Sequence, residues 1–94
     1  MQTSELEDLR ESLDHIDTAI AVLLAERFRI TRKVGLYKKE YHLPPIDEER
    51  EAIQFARIET LARTYGLDIP FMKSVFRLII DKVVRDHEAL RAEL

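Results

Sequence analysis

Several polar side chains of this chain stand where its hydropathy pattern calls for apolar ones, and such violations are where chemistry is to be sought. Arg27 follows Leu23 by four residues and precedes Ile30 by three, inside an apolar seam. An unpaired buried cation is very costly, so Arg27 needs an anionic partner or a route to water. It is one half of a structural pair with a glutamate, a side chain snorkelling to the edge of the seam, or part of a site for a small anion. Lys38 lies eleven residues further on. At about 100° per residue that is three turns plus roughly 20°, so the two cations share a helix face. Thr31 and Gly35 lie near the line between them. A glycine inside a helix costs roughly 1 kcal/mol relative to alanine. Gly35 therefore serves either the close approach of a ligand or another backbone, or tight helix packing.

Arg50 falls between Ile46 and Ile53 at helical spacing, which points it inward. Glu51 stands beside it, near the face of Phe55 and Ile58. The two are an ion pair, or a site offering both a donor and an acceptor. His87 sits four residues after Val83 and three before Leu90. It is either a satisfied core histidine or a further donor at the same site. His15 and His42 lack ligand-like spacing with it, so no metal site is expected. There is no cysteine, Ser4, Ser12 and Ser74 have no histidine at a telling spacing, and no phosphate-binding glycine loop exists. A cationic pocket without nucleophile, metal or cofactor suits binding, or a reaction that needs only positioning and electrostatics.

The elements that must position these residues are helices. The 94 residues fit one domain over 1–94, and 46% apolar with 35% charged residues is a globular balance. Breaks are expected at Tyr41 to Ile46, centred on Pro44 and Pro45, and at Tyr65 to Pro70, with Gly66 as a C-cap and Asp68 as the next N-cap. Asp47 can cap the second helix, whose Glu48 and Glu49 suit its positive end. The predicted helices run from about Ser4 to Lys39, from Glu48 to about Thr64, and from Ile69 to about Ala92.

The first carries a seam of Leu6, Leu9, Leu13, Ile16, Ile20, Leu23, Arg27, Ile30, Val34 and Tyr37, with alternating spacings of three and four. The second shows Ile53, Ile58, Leu61 and Tyr65 on one side. The third shows Met72, Val75, Phe76, Ile79, Val83 and Leu90, apolar enough to be the most buried helix. A first helix of that length spans roughly 50 Å, whereas a compact monomer of this size is roughly 32 Å across. The expected remedy is a homodimer with the long helices packed together. The acidic N-terminus and the lack of a long apolar run point to a cytoplasmic protein with no membrane contact. A net charge of −3 with dispersed bases is not the footprint of a nucleic-acid surface.

The order Leu9-Arg10, Leu24-Ala25-Glu26-Arg27, Val34-Gly35-x-x-Lys38 and Pro44-x-x-Asp47-x-x-Arg50-Glu51 resembles the all-helical chorismate mutase family. The similarity continues through Gly66-Leu67-Asp68 and Phe76-x-x-Ile79-Ile80. It implies an all-α, intertwined homodimer of three-helix chains with two equivalent sites. It also implies a cofactor-independent isomerase that rearranges chorismate to prephenate on the shikimate route to phenylalanine and tyrosine. Position by position, Arg10 would reach into the partner chain's site and bind a substrate carboxylate. Arg27 would bind a carboxylate, supported by Arg50. Lys38 would donate to the ether oxygen, and Glu51, with the Asp47 region, would accept from the ring hydroxyl.

Two positions depart from the family pattern. Val83 stands where many members have serine, which removes a polar contact. His87 stands where they have glutamine or glutamate, and it can still donate as a neutral tautomer or as imidazolium. An isochorismate pyruvate lyase of the same fold, a mutase acting on an amino analogue of chorismate, and a non-catalytic helical dimer that partners a shikimate-pathway enzyme are the rival readings.

Overall fold

The structure, a computed structural model, describes residues 2–93, with side chains from Ser4 onward. It is all-helical as expected: α1 spans Gln2–Glu40, α2 Glu48–Thr64 and α3 Ile69–Ala92. The chain divides into two units, residues 1–31 and 32–94.

The helix boundaries follow from local chemistry. α1 ends where Leu43 N–H donates to the Lys38 carbonyl at 2.8 Å and His42 N–H to that of Lys39 at 3.3 Å, with His42 at φ 56°. α2 ends in the same way: Leu67 N–H donates to Ala62 at 2.8 Å and Gly66 N–H to Arg63 at 3.4 Å, with Gly66 at φ 65°. This paired closure needs one left-handed residue after the helix, a role that glycine fills without a Cβ penalty. The second closure is announced by Gly66. The first is built on a histidine, so only the prolines that follow give it away. α2 opens on Asp47, whose Oδ1 accepts from Arg50 N–H at 3.0 Å, and α3 on Asp68, whose Oδ2 accepts from Phe71 N–H at 2.8 Å. Pro70 occupies the first turn of α3, where a missing N–H costs nothing.

In the second unit α2 packs on α3. The buried side chains are Ile58 and Ala62 of α2 with Ile80, His87 and Leu90 of α3, and Gly35 of α1 is buried too. α3 thus contributes the most buried residues. Two ion pairs cross between α2 and α3, Lys73 with Glu59 at 3.3 Å and Arg77 with Glu51 at 2.8 Å. Lys73, and behind it Arg63, hold the Glu59 carboxyl below its ordinary range.

In the first unit the predicted seam is present but uncovered. Leu6, Leu9, Leu13, Ile16, Ile20 and Leu23 expose between 46% and 67% of their surface. Leu24, Arg27, Phe28 and Thr31 are half-buried. No helix among the described residues is long and apolar enough to cross a membrane.

Candidate active site

The second unit holds six of the eight residues singled out from the sequence. Lys38 lies in the last turn of α1, half-buried, and its Nζ donates to the Pro45 carbonyl at 3.2 Å. The paired closure after Glu40 folds the chain back, so that this carbonyl meets the lysine. Asp47 is exposed, and one of its carboxylate oxygens is engaged as the α2 cap.

His87 is 5% exposed and lies against α1 at Gly35. A Cβ at Gly35 would stand 2.5 Å from His87 Cδ2, 2.9 Å from Nε2 and 2.9 Å from Leu90 Cδ1. The close approach that Gly35 permits is thus to a side-chain ring and a leucine, the tight-packing alternative. Gly35 and Lys38 are three apart on one helix, so they are neighbours on its surface. The contact at Gly35 therefore places His87 one turn from Lys38. Val83, four residues before His87 on α3, is half-buried and apolar.

Arg50 departs from the reading of its spacing. It is exposed, as are Ile46 and Ile53 on either side of it. The face of α2 turned to α3 is instead the one carrying Glu51, Phe55, Ile58 and Ala62, which are half-buried or buried. Glu51 is paired not with its neighbour Arg50 but with Arg77 of α3, which donates through Nη2 at 2.8 Å. The guanidinium of Arg77 also meets Asp81 at 3.1 Å and lies over the Phe55 ring, 4.5 Å from its centroid. The Glu51 carboxylate raises the Arg77 pKa above its ordinary value. Arg77 escaped the sequence reading because its i,i+4 spacing with Asp81 looks like any surface pair. The available signal was its place one residue after Phe76, on the edge of the apolar stripe.

Among the shallow grooves on this unit, one is lined by Phe55, Lys73, Ser74, Arg77 and Leu78, and another by Pro44, Pro45, Ile46, Glu88 and Arg91. Neither contains Lys38 or His87, but each is lined by a residue that holds one of the candidates: Arg77 holds Glu51, and Pro45 holds Lys38. In the first unit Arg10 is exposed and Arg27 half-buried. Among the described residues no group of three or more His, Asp or Glu side chains is placed to hold a metal ion. The second unit thus holds a half-buried primary amine, a buried imidazole and a half-buried carboxylate. It can donate to oxygen at one place and accept from a hydroxyl at another, and it has no nucleophile–base pair.

Residues 9–88 match the family described as chorismate mutase type II. The chain is 35% identical over 82 residues to the bifunctional chorismate mutase/prephenate dehydratase of Escherichia coli K12, an alignment that covers 87% of this chain and 21% of that protein. It is 30% identical over 77 residues to the chorismate mutase of Methanocaldococcus jannaschii, covering 82% of this chain and 78% of the relative. It is 29% identical over 83 residues to the 4-amino-4-deoxychorismate mutase of Streptomyces pristinaespiralis, covering 88% of this chain and 64% of the relative. The chain spans about a fifth of the length of the bifunctional relatives it matches. Three helices without a strand among the described residues, a lysine and an imidazole one turn apart, and a match that takes in almost all of α1, α2 and α3 lead to one conclusion: the chain belongs to the type II chorismate mutase family.

Proposed function

We propose that this chain is an isomerase that converts chorismate to prephenate, with residues 1–94 acting as one domain in a cytoplasmic homodimer. The observation that carries the proposal is the meeting of His87 with α1 at Gly35, one turn from Lys38. His87 is buried there and Lys38 half-buried, so both donors stand in a partly dehydrated setting. The reaction breaks the ether C–O bond as a C–C bond forms within the same molecule, and negative charge grows on the ether oxygen. No covalent intermediate is required. Lys38 and His87 donate to that oxygen, Glu51 accepts from the ring hydroxyl with Asp47 at its edge, and Val83 supplies an apolar wall. Arg27 binds a substrate carboxylate. Arg50 supports it, and Arg10 comes from the partner chain. These contacts favour the chair-like conformer that reacts, and they are stronger in the polarised transition state than in the ground state. One such donor is worth roughly 3 kcal/mol.

The dimer is supported by the seam of the first unit, six leucine and isoleucine side chains 46% to 67% exposed in the single chain, which a second copy of α1 would cover. The test is direct. The purified protein is incubated separately with chorismate, isochorismate and 4-amino-4-deoxychorismate, and loss of substrate is followed by absorbance with product identification. Prephenate from chorismate at the highest kcat/KM is the expected result. Pyruvate from isochorismate, or preference for the amino analogue, would move the chain to a neighbouring activity. A folded protein inactive on all three would make it a structural partner.

A further inference from the structure

We infer that Gly35 is a positioning residue for His87: its missing side chain is the seat of the imidazole, and it sets where the ring presents its donor. The inference rests on the proposed mutase reading. A helix interior disfavours glycine by roughly 1 kcal/mol against alanine, and Gly35 lies five residues before the end of α1 at Glu40, away from any cap. What occupies the space of its Cβ is the Cδ2–Nε2 edge of His87, at 2.5 and 2.9 Å, followed by Leu90 Cδ1 at 2.9 Å. The edge that touches α1 therefore includes a titratable nitrogen, and the ring is registered against backbone rather than against a mobile side chain. An imidazole turns about two bonds only, and at 5% exposure His87 has little room to swing away. A methyl group at residue 35 has to rotate the ring, displace Leu90 or part α1 from α3. Of this set only His87 touches the reaction; Gly35 acts through it, while Leu90 is packing.

The role of a glycine at residue 35 thus depends on what stands at residue 87. A glutamine there has one more rotatable bond and a thinner end, so it can bend around a methyl group that a ring cannot avoid. Gly35 and His87 form a matched pair, and the substitution that disables one need not disable its replacement.

The experiment is a double-mutant comparison by chorismate loss. Gly35→Ala is introduced into the parent chain and into the His87→Gln variant, with kcat and KM determined for all four proteins. In the parent, Gly35→Ala is expected to lower kcat by at least about tenfold, because a displacement of about 1 Å suffices for such losses. KM should move by less than about threefold. In the His87→Gln background the same alanine is expected to change kcat by less than about threefold, outside additivity for independent sites. Equal losses in both backgrounds, or a loss confined to KM, would overturn the inference. Should Gly35→Ala fold poorly, adding Leu90→Ala relieves the second contact. That double variant is expected to recover its helical circular dichroism and keep the kcat defect. Recovery of kcat with folding would make Gly35 a packing residue only. An inactive parent chain sinks the mutase reading itself, a result separate from these.

Discussion

The two units of the chain carry the same kind of apolar stripe and treat it differently. In residues 32–94 the stripe is used: Ile58, Ala62, Ile80 and Leu90 are buried, and His87 is buried with them. In residues 1–31 it is presented: Leu6 to Leu23 stand exposed in an unbroken three–four rhythm. The charges follow the same division. Lys38 and Glu51 already have partners in the Pro45 carbonyl and Arg77, whereas Arg10 stands exposed on the surface of α1. A helical stripe specifies a face and its direction but not which molecule covers it. Where the chain has its own cover, the core is closed. Where it has none, the face stays open, and the proposed homodimer would cover it with a second copy.

The sharpest way to break this contrast is to charge the open seam. Leu13→Glu places a carboxylate in the middle of the exposed stripe, where a two-fold contact would bring in two copies of it. Burying an unpaired charge costs several kcal/mol, so the variant is expected to sediment as a monomer at concentrations where the parent is dimeric. Chorismate turnover should fall on the order of a hundredfold or more, since both sites lose the partner's contribution. Unchanged sedimentation together with unchanged turnover would mean that the first unit presents its seam to something other than its own copy.

A subtler test asks which chain supplies Arg10. Arg10→Ala and Lys38→Ala proteins are each expected to be nearly inactive, with losses of about 10²-fold or more. If Arg10 acts across the interface, unfolding and refolding an equal mixture gives heterodimers in which one site lacks both residues and the other lacks neither. Half of the dimers are then mixed and half of their sites intact, so turnover should return to about a quarter of the parent value. If Arg10 serves its own chain, every site stays defective and mixing restores nothing.

The same division explains what could be read in advance. The three helices and their caps were legible because Asp47, Asp68, Gly66 and the paired prolines are local signals. The burial of His87 was legible because it interrupts a stripe, and the half-burial of Lys38 and Glu51 because one shares a face with Arg27 and the other lies near the face of Phe55 and Ile58. The direction of Arg50 was not. Its spacing between Ile46 and Ile53 assumed that both isoleucines face inward, and both stand exposed in the single chain. Arg77 was missed for the complementary reason. It lies at the edge of a stripe and meets Glu51 across 26 positions of sequence, a pairing decided by how α2 and α3 pack and not by any local period. Gly35 was read as a close approach, but the identity of the approaching group required the register of α3 against α1.

The smallest expected effect concerns Arg77, and it tests whether the closed unit needs its ion pairs for chemistry or only for packing. Arg77 is 44% exposed at its side chain and Glu51 21%, so solvent screens the pair and its contribution is at most about 1 kcal/mol. Arg77→Gln keeps a donor on a shorter side chain but removes the charge. It is expected to raise KM for chorismate by roughly two- to fivefold, because Glu51 becomes freer to leave the direction in which it accepts the substrate hydroxyl. The kcat value should change by less than about twofold, since Glu51 binds the ring and not the breaking bond. Raising ionic strength from about 50 mM to 500 mM weakens an exposed pair in the parent as well, so the difference between the two proteins should shrink with salt. A KM difference that persists at high salt would assign the effect to the cation–π contact with Phe55, 4.5 Å away, and a fall in kcat would place Arg77 closer to the reaction than its partners suggest.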